Sequence, residues 1–245
     1  MAEQRNVQAI TFDFWNTLVS ESRNSTNADD RTHRWSAALR ESGVEATDDE
    51  VAAAVDAMWR WFVGEWENNR VVTPTGAVEF ALGQLGHPGD HGAATAMVAA
   101  LDTGFDPAEM KIAPGIGEAL AQLRAAGIKV GIICDVGLTP SSTLRSYLDH
   151  HGLLEHFDHW TFSDDVGWYK PDQRMFDHAM AGLGVTDPAA MAHIGDLKRT
   201  DIAGARAAGW TTFRYTGLGA DDSELDDADH VIDHHAELVR ILIVD

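Results

Sequence analysis

Short apolar runs recur along this chain, and helical patterns that stop at glycine lie between most of them. The runs are VQAITFDF (7–14), IKVGIIC (128–134), HWTFS (159–163), AMAHIGD (190–196) and TTFRYT (211–216). Short runs with little polar alternation suit strands buried on both faces. The helical patterns are IGEALAQLRAAG (116–127), TPSSTLRSYLDHHG (139–152), DQRMFDHAMAGLG (172–184) and TDIAGARAAG (200–209), each closed by a glycine stop. Strand alternating with helix predicts an α/β fold, a parallel sheet with helices on both faces. Functional side chains in such a sheet belong at the carboxyl ends of the strands. Asp13, Cys134 and Asp196 stand at those ends.

The stretch 21–109 breaks the alternation, with helix-like segments and no convincing strand. Structureless connections rarely exceed about 15 residues. We therefore expect an inserted all-helical cap at 21–109, with 1–20 and 110–245 forming the α/β core. The cap carries Trp59, Trp61, Phe62 and Trp66. That spacing reads first as a helix face packed in the cap's own core. The alternative is that one of them lines a substrate pocket.

Composition removes several function classes. The 245 residues carry 39 acidic and 18 basic side chains, a formal net charge of -21. No basic face is available for nucleic acid or an anionic membrane surface. Such a field also repels anionic ligands, so an anion site has to be made locally. The single cysteine, Cys134, excludes an internal disulfide and suits a reducing compartment. The start, MAEQRNVQAI, has no signal-peptide core, and no run approaches the ~18 apolar residues of a membrane span. The expectation is a cytoplasmic protein, monomer or homodimer. The segment GADDSELDDADH (219–230) reads as a solvated acidic loop, and the scattered histidines form no zinc pattern.

Four pieces carry chemistry: Asp13 with Thr17, Cys134 with Asp135, Lys170 before Pro171, and Asp196 with Asp201 in IGDLKRTDIAGA. In this order the sequence resembles the haloacid dehalogenase-like (HAD) superfamily, over about 1–20 and 110–245. The 21–109 insert falls where that superfamily's C1 caps fall. The patterns KP…F and GD….DI.GA..AG match well. The first motif is partial, because the usual DxDxT reads Asp13-Phe14-Trp15-Asn16-Thr17. Cys134 occupies a place that usually holds Ser or Thr.

The resemblance implies a Rossmann-like core and a phosphatase acting on a small phosphorylated metabolite. Asp13 would attack phosphorus and form an aspartyl-phosphate, splitting one hard step into two. Lys170 would counter charge on Asp13 and on the phosphoryl group. Mg²⁺ prefers hard oxygen ligands, here the carboxylates of Asp13, Asp196 and Asp201 and the backbone carbonyl of Trp15. Asp201 has the alternative of holding a metal-bound water. Thr17 completes the first motif. In the superfamily's phosphatases the acid two residues past the nucleophile protonates the leaving alcohol and then activates water, and Trp15 lacks that acid. Asp135 and His33 are candidates for a borrowed donor and for substrate contact. Cys134 either touches substrate or simply fills the Ser/Thr place, and Asp135 either turns away from the phosphate or is protonated.

Two other readings stand beside this one. A carbon–halogen hydrolase would use Asp13 on carbon and need an arginine such as Arg23, Arg34 or Arg40; the retained Asp196 counts against it. An impaired binding protein would keep the fold and lose turnover, yet this chain keeps Asp13, Lys170, Asp196 and Asp201.

Overall fold

The computed structural model describes residues 7–21, 27–102, 107 and 110–244. Its centre is a six-stranded sheet built from β1 (Ala9–Phe12), β4 (Lys129–Cys134), β5 (His159–Phe162), β6 (Met191–Gly195), β7 (Thr211–Tyr215) and β8 (His230–Ile232). The strand order is β5-β4-β1-β6-β7-β8, and every pairing is parallel. All residues of β1 and β6 are buried, so helices cover both faces at the centre of the sheet. This is the α/β, Rossmann-like architecture that the alternation predicts. Parallel neighbours need crossovers, and helices supply them: α5 (Ile116–Ala125), α6 (Ser141–His150), α7 (Ser163–Val166), α8 (Gln173–Leu183) and α9 (Ala203–Ala207), with α10 (His235–Val239) after the last strand.

The strand β8 lies at the end of the acidic stretch read from sequence as loop. It is three residues long and joins only one edge, pairing Phe213 to His230 and Tyr215 to Ile232. A second small ribbon is antiparallel, β2 (Val19–Glu21) against β3 (Met110–Ile112).

The chain separates into two compact units. One holds the chain up to Glu21, Met110–Asp135 and everything from Arg145 onward. The other holds the helices α1 (Asn27–Glu41), α2 (Asp48–Glu67), α3 (Pro74–Gln84) and α4 (His91–Asp102), together with Val136–Leu144. That last segment lies within the 110–245 range read above as core.

The helical unit has its own apolar centre, including Trp35, Leu39, Val55, Met58, Leu82 and Met97. Trp35 is fully buried and donates its Nε1–H to Met97 O at 3.2 Å, which satisfies its one polar atom. Helix α2 starts in a capping box, with Thr47 and Glu50 exchanging side-chain and backbone bonds. Of the aromatic cluster on α2, Phe62 is buried and Trp61 stacks on Phe80 with centroids 4.6 Å apart. Trp66 is half-buried against the same core, and Trp59 is 47% exposed with the Arg31 guanidinium over its ring. No helix among the described residues is long and apolar enough to cross a membrane.

Candidate active site

The site grows from the end of β1. The Asp13 N–H donates to Ile194 O at 2.8 Å, extending the β1–β6 pairing one residue beyond the strand. The chain then turns tightly. Asn16 has a φ of 55, and its N–H donates to Val19 O at 2.7 Å. Asparagine tolerates that left-handed backbone better than most residues. Asp13 is thus fixed at the mouth of the sheet by two strands and a closed turn.

Lys170 arrives from the loop after α7 and is 2% exposed. Its Nζ donates to Asp13 Oδ1 at 2.6 Å and to Asp201 Oδ1 at 2.6 Å. Its backbone N–H donates to Asp135 Oδ1 at 3.0 Å. One Asp135 oxygen is thereby turned onto the backbone of Lys170. Cys134 is fully buried, and burial together with the charge of Asp13 pushes its thiol up, so it stays protonated.

Asp201 is the second acid of the last motif, after Asp196. Its Oδ1 accepts from Lys170 and from His193 Nε2 at 3.2 Å. Its Oδ2 accepts from Leu197 N–H at 3.0 Å and Thr200 Oγ1 at 3.3 Å. Four donors fill the acceptor capacity of one carboxylate. Gly195 makes this approach possible, because a Cβ there would lie 2.2 Å from Asp201 Cγ. Replacing Gly195 by alanine is expected to cost about 1–3 kcal/mol by overpacking. The variant should displace Asp201 and lose activity, with urea unfolding and turnover as the measurements.

Asp196 follows Gly195 and accepts a hydrogen bond from the Asn16 side chain. Asp13, Asp196 and Asp201 each bring a carboxylate oxygen within 4.8 Å of the others. The electrostatics follow from three carboxylates facing one ammonium. Burial would depress Lys170, but Asp13 and Asp201 hold its ammonium well above the usual range. Burial would raise Asp201, but Lys170 and the His193 bond hold it well below. Asp13 is raised, because burial and the charges of Asp201 and Asp196 outweigh Lys170. Asp196 is pushed up to about 7 by burial and by Asp201. The cluster is short of positive charge.

Thr17 is fully buried, and its Oγ1 has no partner among the described residues. Its carbonyl accepts from His235 Nε2 at 2.9 Å. A carbonyl only accepts, so Nε2 carries the hydrogen. Burial lowers the His235 pKa to about 4. The folded value is depressed, so neutral His235 contributes its full stability above the unfolded pKa of ~6.5 and loses it as pH falls toward 4. Between about pH 7 and about pH 5 the wild type should lose roughly 2 kcal/mol more than His235→Gln does. Urea unfolding of both proteins at the two pH values checks this.

Trp15 is half-buried, its ring edge against Phe14 with centroids 5.1 Å apart. His33 is exposed on α1, in the helical unit. Arg34 and Arg40 also lie on α1, and Arg23 lies outside the described residues. The structure thus brings Asp13, Lys170, Asp196 and Asp201 together and sets Asp135 against the Lys170 backbone.

Sequence reasoning missed Asn16, Thr11, His193 and His235. His193 had a visible signal, a polar residue inside the apolar run AMAHIGD. His235 had none, because nothing local ties the C-terminal helix to the first loop.

Comparison with known proteins shows the family and the fold. A protein 3 containing a haloacid dehalogenase-like hydrolase domain, from Bos taurus, is 35% identical over 111 residues, 45% of this chain and 42% of that protein. The chain spans about half the length of the first such curated relatives it matches. A glyceraldehyde 3-phosphate phosphatase from Methanopyrus kandleri is 33% identical over 150 residues, 61% of this chain and 62% of that one. The HAD phosphatase structure from Thermococcus onnurineus superposes with a TM-score of 0.65 at 24% identity, covering 97% and 98% of the two chains. The profile of the haloacid dehalogenase-like hydrolases runs over residues 7–209, from the first strand to the glycine after α9. That span takes in each of the four motifs read from the sequence, and the chain belongs to the haloacid dehalogenase-like hydrolase family.

Proposed function

We propose that this hydrolase is a Mg²⁺-dependent phosphatase acting on a small phosphorylated molecule through Asp13. The observation that carries the proposal is the excess of buried carboxylate: Asp13, Asp196 and Asp201 against Lys170 alone among the described residues. Fully ionised, three carboxylates and one ammonium carry a net charge of about -2, which a divalent cation balances. The oxygen-only donor set suits a hard ion. Asp13, Asp196 and the Trp15 carbonyl are the groups to hold it. Asp201, whose oxygens already accept four bonds, is better read as the anchor of Lys170 than as a direct ligand. When bound, Mg²⁺ neutralises charge on the phosphoryl oxygens.

The chain's own groups account for the rest. An Asp13 oxygen attacks phosphorus, the bond to the leaving oxygen breaks, and an aspartyl-phosphate forms. Water then attacks that phosphorus, releasing inorganic phosphate and restoring Asp13. Lys170 balances Asp13 before the attack and the phosphoryl charge during it. The phosphatase from Methanopyrus kandleri supports phosphorus as the electrophile. The aromatic Trp15 favours a second reading, attack on carbon with release of halide. That chemistry needs no cation, and it leaves the surplus of buried negative charge unexplained.

The test is phosphate release from a panel of small phosphate esters, including one with an activated leaving group, with and without Mg²⁺. We expect Mg²⁺-dependent turnover that Asp13→Asn abolishes. Halide release from 2-haloacids with no phosphate release from any ester would overturn the assignment.

A further inference from the structure

His193 is the least expected polar group in the sheet. It lies within β6, is fully buried, and pairs in register with Thr11 of β1. Its Nδ1 is 2.8 Å from Thr11 Oγ1, and its Nε2 is 3.2 Å from Asp201 Oδ1. The tautomer follows from the partners. Asp201 already accepts from the Lys170 ammonium, so it accepts from His193 too, and Nε2 carries the hydrogen. Nδ1 is then the acceptor for the Thr11 hydroxyl. The imidazole is a neutral bridge between a hydroxyl on one central strand and the carboxylate that anchors the lysine. The edge of the Phe176 ring packs against it, centroids 5.7 Å apart.

We propose that His193, locked by Thr11, is a positioning residue: it fixes Asp201 and, through Asp201, the place of the Lys170 ammonium. The physical reason lies in the shared oxygen. Asp201 Oδ1 has two donors, one charged and one neutral. The neutral donor satisfies the carboxylate without consuming the positive charge, which stays available to Asp13. Without His193, Asp201 Oδ1 is left with Lys170 alone and draws the ammonium toward itself. The ring is suited to this work because it cannot swing, being held at both nitrogens and walled by the sheet.

The inference rests on the phosphatase reading, and binding separates the two. The probe is inorganic phosphate, titrated calorimetrically into the Mg²⁺-loaded full chain. His193→Met keeps the volume and removes the donor, and it should weaken phosphate binding by roughly tenfold or more. His193→Gln restores a neutral donor and should stay within about threefold of wild type. Thr11→Val leaves the ring in place, removes its lock, and should weaken binding by a smaller factor. Asp201→Asn should also weaken binding, and adding His193→Met to it should change little more, because both act through one carboxylate. Folded His193→Met binding phosphate like wild type overturns the proposal, as do losses that multiply in the double variant. If His193→Met does not fold, unchanged binding in Thr11→Val overturns it. A wild type that neither binds phosphate nor releases it from any ester overturns the phosphatase reading instead.

Discussion

Replacing Trp15 by aspartate is expected to raise turnover of alkyl phosphates by about 10²–10⁴-fold, the usual worth of a placed general acid. Turnover of phosphates with activated leaving groups should change far less. In the wild type the carboxylates around Asp13 are committed. Asp201 accepts four bonds, Asp135 holds the Lys170 backbone, and Asp196 is proposed to hold the cation. The Cys134 thiol is held too basic to cycle its proton. In the proposed reaction, with no acid at residue 15, a basic alkoxide has to leave without a proton, whereas an activated group departs readily as an anion. The contrast is sharpest when kcat/KM is plotted against leaving-group pKa. A steep line is expected for the wild type and a shallow one for Trp15→Asp. Trp15 is half-buried beside Phe14, so its removal opens space, and Trp15→Asn is the control for that loss. Equal slopes in wild type and Trp15→Asp would mean that the leaving group already receives a proton from elsewhere, with His33 the first residue to change.

The fold was legible because its main signal is local. Buried parallel strands read as apolar runs, and glycine stops separate them from helices, so all five runs became strands. Strand β8 was not legible: three residues at an edge, in an acidic stretch, carry too little pattern to stand out. Residues that act at strand ends were legible for a related reason, since a carboxylate closing an apolar run has few structural excuses. Their partners were not. His235 is bound to Thr17 across 218 positions and Thr11 to His193 across 182, and no periodicity reports on such pairs. Asp135 shows the limit most clearly. Nothing in the sequence says that one Asp135 oxygen accepts from the Lys170 backbone N–H, 35 positions away.

Lys170→Met should abolish turnover and, without a divalent cation, cost about 3–5 kcal/mol of stability, the usual penalty for breaking one side of a buried charge cluster. The ammonium is 2% exposed and bonds two carboxylates at 2.6 Å, so its loss leaves both buried with their main countercharge gone. The same surplus makes a pH prediction for the unsubstituted protein. Asp196 is raised to about 7 in the fold. A raised carboxylate contributes stability that is fully present below its unfolded pKa of about 3.9 and is lost as pH rises through the folded value. Metal-free protein should therefore weaken by about 3 kcal/mol from this group between roughly pH 4 and pH 7. A Mg²⁺ ion held there would offset the local negative charge, pull Asp13 and Asp196 toward ionisation, and stabilise by mass action. Urea unfolding with EDTA or Mg²⁺ at each end of that range checks both statements. Lys170→Met should regain more stability from Mg²⁺ than wild type does, because the ion supplies charge where the lysine no longer can. Equal gains in the two proteins would place the cation away from this cluster and remove the main support for a metal at Asp13 and Asp196.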